Sequence, residues 1–194
     1  MDPFATLGLP PRFDLDPAEI ERRYRDLQRA FHPDRSAGKP PAERRLAAAK
    51  AVEINEARRV LADDVARARA LLALRGAPGE DPPASPELLM EAMERREALA
   101  AARARNDLAA ARALGAEVRA ELDRGRARLA SLFAASGGEE AIGAELTRMR
   151  YQLRLLDEVD ALEDRALEDR ALEDQALEDQ ALEAPARRGP EPSR

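Results

Sequence analysis

The short string with the most chemical promise is His32-Pro33-Asp34. Its residue types suit recognition. Pro33 fixes its own φ and narrows the freedom of a loop. Asp34 can accept two parallel N–H bonds from an arginine. His32, the single histidine of the chain, can donate or accept a hydrogen bond near neutral pH. Catalysis fits less well. A general base needs a positioned partner and a pocket, and the sequence supplies no cysteine, no glycine-rich phosphate loop and no HExxH pair. An isolated histidine at such a place is only a polar helix-ending residue, so the flanking elements decide.

Those elements read as two helices. Asp16 suits an N-cap, Pro17 the first helical position and Glu19 a capping box. Ile20, Tyr24, Leu27 and Phe31 then recur at i, i+4, i+7 and i+11, one apolar stripe. Arg22, Arg25 and Arg29 stand on the opposite face, which alone reads as a solvated surface. Pro33 disfavours α geometry for the residue before it, so this helix ends near His32. A polar loop from Asp34 to Pro41 follows. The next helix spans about Ala42 to Leu61, with Leu46, Ile54, Ala57 and Leu61 expected on its buried side. A loop this short makes the pair antiparallel. A short helix from about Asp64 to Leu74 adds Ala68, Leu71 and Leu72 to the core, and Phe4, Leu7 and Leu9 mark a small opening helix.

The composition supports an all-α chain. Only 3% of the 194 residues are aromatic, and the dominant Ala, Leu, Glu and Arg are good helix formers. We divide the chain into a helical hairpin with short flanking helices at 1–76, a linker at 77–85 (APGEDPPAS), an antiparallel three-helix bundle at 86–160 and a tail at 161–194. The tail opens as ALEDR, ALEDR, ALEDQ, ALEDQ, ALEAP. A five-residue period advances about 140° per repeat on an α-helix, so its leucines spiral and form no stripe. It reads as a low-complexity extension of the preceding helix or, less simply, as an acidic interaction arm. Pro185 ends any helix there.

The bundle has an unusual first helix. In LLMEAMERREAL, Leu88, Ala92 and Leu99, with Ala102 nearby, share one face. Leu89, Met90 and Met93 project elsewhere, flanked by Glu94 and Glu97. A small bundle buries one stripe per helix, so a second apolar set is extra core or an exposed binding surface. The middle helix, about Asp107 to Ala135, carries Leu114, Val118, Leu122, Leu129 and Leu132, and Gly137-Gly138 closes it. The last carries Ile142, Leu146, Met149, Leu153 and Leu156 as its expected stripe, with Tyr151, Arg154 and Leu155 directed away from it.

A leading helix, a basic-faced second helix, an HPD loop and a long third helix together resemble a J-domain. With the following bundle, the chain resembles the HscB family of iron–sulfur cluster co-chaperones. The strings DPFATLGLP, FHPDR, INEARRVL, LLMEAMERREAL and LRLLDEV carry the likeness over roughly Asp2 to Asp160. The resemblance implies a non-enzymatic co-chaperone. His32, Pro33 and Asp34, with the Arg22, Arg25 and Arg29 stripe, would engage an HscA-like ATP-dependent chaperone and stimulate its hydrolysis. Leu89, Met90, Met93, Glu94, Glu97, Arg154 and Leu155 would hold an IscU-like iron–sulfur scaffold protein. The pentapeptide tail is outside the family pattern, and the N-terminal cysteine metal motif of some members is impossible here.

Composition narrows the alternatives. A formal net charge of −6 argues against nonspecific nucleic-acid binding. Without cysteine there are no disulfides and no thiolate metal sites. No cofactor or metal is implied. No apolar run approaches the length of a membrane span, and the opening residues do not read as a signal peptide; a cytoplasmic monomer is expected. The competing function is a J-domain co-chaperone of a general DnaK-type chaperone with a different client.

Overall fold

The computed structural model describes residues 1–31, 38, 40–77, 82–135 and 138–183, with side chains through Asp179. Among the described residues seven helices, α1 (Pro3–Leu7), α2 (Pro17–Ala30), α3 (Pro41–Ala62), α4 (Asp64–Leu74), α5 (Pro86–Ala104), α6 (Leu108–Ala134) and α7 (Glu139–Glu183), and no strand occur. None is long and apolar enough to cross a membrane.

Local chemistry explains most of the boundaries. Asp2 Oδ1 accepts from the N–H groups of Phe4 and Ala5 at 2.9 and 3.2 Å, capping α1. Gly8 ends that helix at φ 65°, a left-handed conformation that favours glycine. Asp16 caps α2 through the Ala18 N–H at 2.9 Å, with Pro17 at the first position as expected. Asp63, Ser85 and Asp107 cap α4, α5 and α6 in the same way.

The helices of the first 76 residues pack α1 and α2 on α3. Phe4, Leu7, Leu9, Ile20, Ile54, Ala57, Leu61, Ala68, Leu71 and Leu72 form the core there, and Tyr24, Leu27 and Phe31 complete the α2 stripe from the edge. Leu46 departs from expectation: it is 69% exposed. Its helical phase is right, but its partner helix is too short. Glu21 faces Arg58 and Tyr24 faces Asn55 across the antiparallel pair. Continued along α3, that register brings Leu46 level with a point one turn past Ala30, where α2 has ended.

The same core continues into the second half through Leu129, Phe133, Ile142, Leu146 and Met149. The Phe13 and Phe133 rings stack with centroids 5.4 Å apart. Arg75 lies over Phe133 at 5.0 Å and donates to its carbonyl at 3.2 Å. Arg67 is buried beneath this junction. It lies over the Phe13 ring, donates to the carbonyls of Phe13 and Leu61 at 2.9 and 2.5 Å, and pairs with Asp64. Asp64 also takes Arg126 of α6 at 2.5 Å. The expected linker is partly described: Pro82 lies so close to α7 that a Cβ at Gly143 would sit 2.7 Å from its Cδ, and Thr147 Oγ1 donates to the Pro82 carbonyl at 2.9 Å.

A second core cluster joins Leu99, Ala102, Ala111, Val118, Leu155, Leu156 and Val159 of α5, α6 and α7. On α6, Val118 and Leu129 are fully buried as expected, while Leu114, Leu122 and Leu132 pack from the edge. Two α7 assignments exchange. Leu153, expected inside, is exposed, and Leu155, expected outside, is 4% exposed. Up to Met149, α7 shares the core of the first half of the chain, whereas Leu155, Leu156 and Val159 belong to the cluster formed with α5 and α6, and the buried face turns towards those helices. The helix then runs on through the repeat. Leu162 packs on the second cluster, and Arg112 pairs with Glu163 at 3.5 Å. Leu167, Leu172 and Leu177 are exposed, as the spiral requires.

Candidate functional site

His32, Pro33 and Asp34, like the loop through Ala37, lie outside the described residues. So do Gly137 and the chain after Glu183. The helix leading into the tripeptide is described. Arg22, Arg25 and Arg29 are all exposed on α2. Arg22 meets Glu19 at 3.4 Å, Arg25 donates to the Glu21 carbonyl at 3.2 Å, and Arg29 pairs with Asp26 and donates to the Arg25 carbonyl. These contacts face solvent and are each worth little to stability.

The other side of α2 is held firmly. Tyr24 donates to Asn55 Oδ1 at 3.1 Å, Gln28 donates to the same oxygen, and Arg58 pairs with Glu21 at 2.6 Å while lying 5.1 Å over the Tyr24 ring. The arginine face is therefore presented on a fixed helix.

The second candidate surface lies on α5. Met90 and Met93 are each 63% exposed, and Leu89, Glu94 and Glu97 are exposed beside them. Arg154 is exposed on the neighbouring α7. The seam between the two helices is bridged by Arg96 and Glu158 at 3.3 Å. Leu155 does not join this surface. It walls a narrow cleft with Leu88, Ala92 and Tyr151, holding about 20 Å³ of free space. That space suits one small group such as a water. Beneath α5, Arg95 makes a bidentate pair with Glu121 of α6 at 2.7 and 2.6 Å. Hydrogen bonding from Arg95 holds the Glu121 carboxyl below its ordinary range against the opposing effect of burial, with help from Gln152. Sequence reasoning missed Phe13, Arg67, Arg75 and Phe133 at the junction and Arg95, Glu121 and Gln152 below α5. Their partners lie far away in sequence, so no local spacing announces them.

Similarity to known proteins matches this arrangement. Residues 2–69 match the DnaJ domain family, and residues 84–160 match the family described as the HSCB C-terminal oligomerisation domain. A J-domain followed by an HscB-type helical domain, the two sharing one core cluster, thus defines the class. The co-chaperone protein HscB homolog of Ralstonia nicotianae is 37% identical over 160 residues, covering 81% of this chain and 89% of that one. Its counterpart in Burkholderia multivorans is 38% identical over 167 residues, covering 84% and 94%. Among solved structures, chaperone HscB from Vibrio cholerae matches with a TM-score of 0.77 and 34% identity over 86% of this chain and 99% of that one. The human co-chaperone protein HscB matches with a TM-score of 0.75 at 26% identity, covering 83% and 81%. The chain belongs to the HscB family of co-chaperones.

Proposed function

We propose that the protein is a bivalent adaptor for iron–sulfur cluster assembly, acting in the cytoplasm. The J-domain, taken as residues 1–76, engages an HscA-like ATP-dependent chaperone. His32, Pro33 and Asp34 bias that chaperone towards hydrolysis, and Arg22, Arg25 and Arg29 steer the encounter with an acidic surface. The bundle, taken as residues 86–160, holds an IscU-like scaffold on Leu89, Met90, Met93, Glu94, Glu97 and Arg154, with Leu155 supporting them from the seam. The adaptor itself makes no covalent change. Tethering places the scaffold near the chaperone at an effective concentration on the order of millimolar.

The observation that carries this reading is the exposure of Leu89, Met90 and Met93 on a helix whose other side is already buried. An apolar set left open beside a packed core favours a partner. The test is titration of an IscU-type scaffold protein into the parent and into Leu89→Glu/Met93→Glu. The double variant should lose scaffold binding and keep the basal stimulation of an HscA-type ATPase. Asp34→Ala should do the reverse. Unchanged scaffold affinity in the double variant, with stimulation of a DnaK-type chaperone, would instead favour a general co-chaperone with another client.

A further inference from the structure

The exposed apolar set sits on a helix with few apolar anchors behind it. Leu88 and Leu99 are buried, but the inward positions between them are Glu91, Ala92 and Arg95, all half-buried. Burial of one alanine is non-directional and does little to set the roll of a helix. A polar network does so instead. Arg95 grips both oxygens of Glu121 on α6 and also meets Glu91 at 2.8 Å, one turn earlier on its own helix. Arg148 of α7 donates to the other Glu91 oxygen at 2.8 Å, and Gln152 Nε2 donates to Glu121 at 2.8 Å. All three helices of the bundle are joined at the turn from which Met90, Met93 and Glu94 emerge. Bidentate arginine–carboxylate bonds are directional as well as strong.

Gln152 suggests what the network is for. Its side chain is buried, its Nε2 donates to the Glu121 carboxylate, and it lines the narrow cleft beside Leu88 and Tyr151. The amide adds a directional bond that orients the Glu121 carboxylate towards Arg95, which an apolar side chain at this place could not do.

We propose that Arg95, Glu121 and Gln152 are positioning residues for client capture: they set the roll and height of α5, and with it the placement of Leu89, Met90 and Met93 against the scaffold. This rests on the scaffold-capture reading above. It separates two properties that structural support alone would keep together. Replacing a partly buried ion pair by apolar residues often leaves stability unchanged or raised, whereas a loosened α5 should bind its client less well.

The experiment uses full-length Arg95→Met/Glu121→Met and Gln152→Met. Three quantities are measured: Tm, affinity for a purified IscU-type scaffold by calorimetry, and stimulation of an HscA-type ATPase without scaffold. The expected result is a Tm at or above the parent's, basal stimulation unchanged, and scaffold affinity lowered about ten-fold. Parental affinity in a variant that keeps its Tm overturns the proposal, as does an affinity that falls only in step with Tm. If the double variant does not fold, Gln152→Met decides by the same criteria. If Leu89→Glu/Met93→Glu also binds scaffold normally, the capture reading fails. If that variant loses binding while both network variants retain it, only the positioning role fails.

Discussion

Phe133→Ala is the perturbation that most directly tests the junction between the two halves of the chain. The Phe133 side chain is buried, stacked on Phe13 and covered on another side by the Arg75 guanidinium. Removing a buried phenyl ring costs about 3–5 kcal/mol, from lost transfer energy and the cavity left behind. Arg75 would keep its bond to the Phe133 carbonyl, a backbone group, so only its ring contact is lost. For a chain of this size the change corresponds to a fall in Tm of roughly 10 °C. Phe13→Ala should cost a similar amount. Because the rings touch each other, the double variant should cost less than the sum of the singles, with a coupling of about 0.5–1.5 kcal/mol. Urea unfolding followed by circular dichroism measures all three variants. The parent should unfold in one transition, since Phe13 and Phe133 belong to one continuous core. A cost below about 1 kcal/mol for Phe133→Ala, or costs that simply add, would refute the continuous core. So would two separate transitions in the parent.

Three further outcomes are expected. Leu46→Glu should change stability by no more than about 0.5 kcal/mol because the side chain is exposed, whereas Ile54→Ala on the same stripe should cost about 2–5 kcal/mol; paired thermal melts check this. Removing residues 167–194 should leave Tm nearly unchanged, while removing 161–194 also takes Leu162 off the second core and Glu163 from Arg112, and should lower it measurably. Finally, Glu121 is held below its ordinary value by Arg95. Its stabilising contribution is therefore complete above the unfolded-state value near 4.5 and is lost as pH falls through the lower folded-state value. Glu121→Gln should be less stable than the parent at pH 7, and the gap should narrow towards pH 3 in pH-dependent urea unfolding.

The sequence by itself determined the helices and their limits. Caps such as Asp16 and Asp63, the proline at the first turn of α2 and the apolar periods act within a turn or two, so their physics is local and legible. It also determined that Leu89, Met90 and Met93 stand off the core stripe, and that the ALEDx leucines bury no common face. Tertiary structure decided which members of a correctly phased stripe are covered. Leu46 is open because α2 ends too soon to reach it. Leu153 and Leu155 exchange places because α7 changes neighbours beyond Met149. It also decided the long-range polar contacts, such as Arg67 to Phe13 across 54 positions and Arg95 to Glu121 across 26. Spacing fixes the direction in which a side chain leaves its own helix. What it meets there depends on where another helix begins, ends and turns.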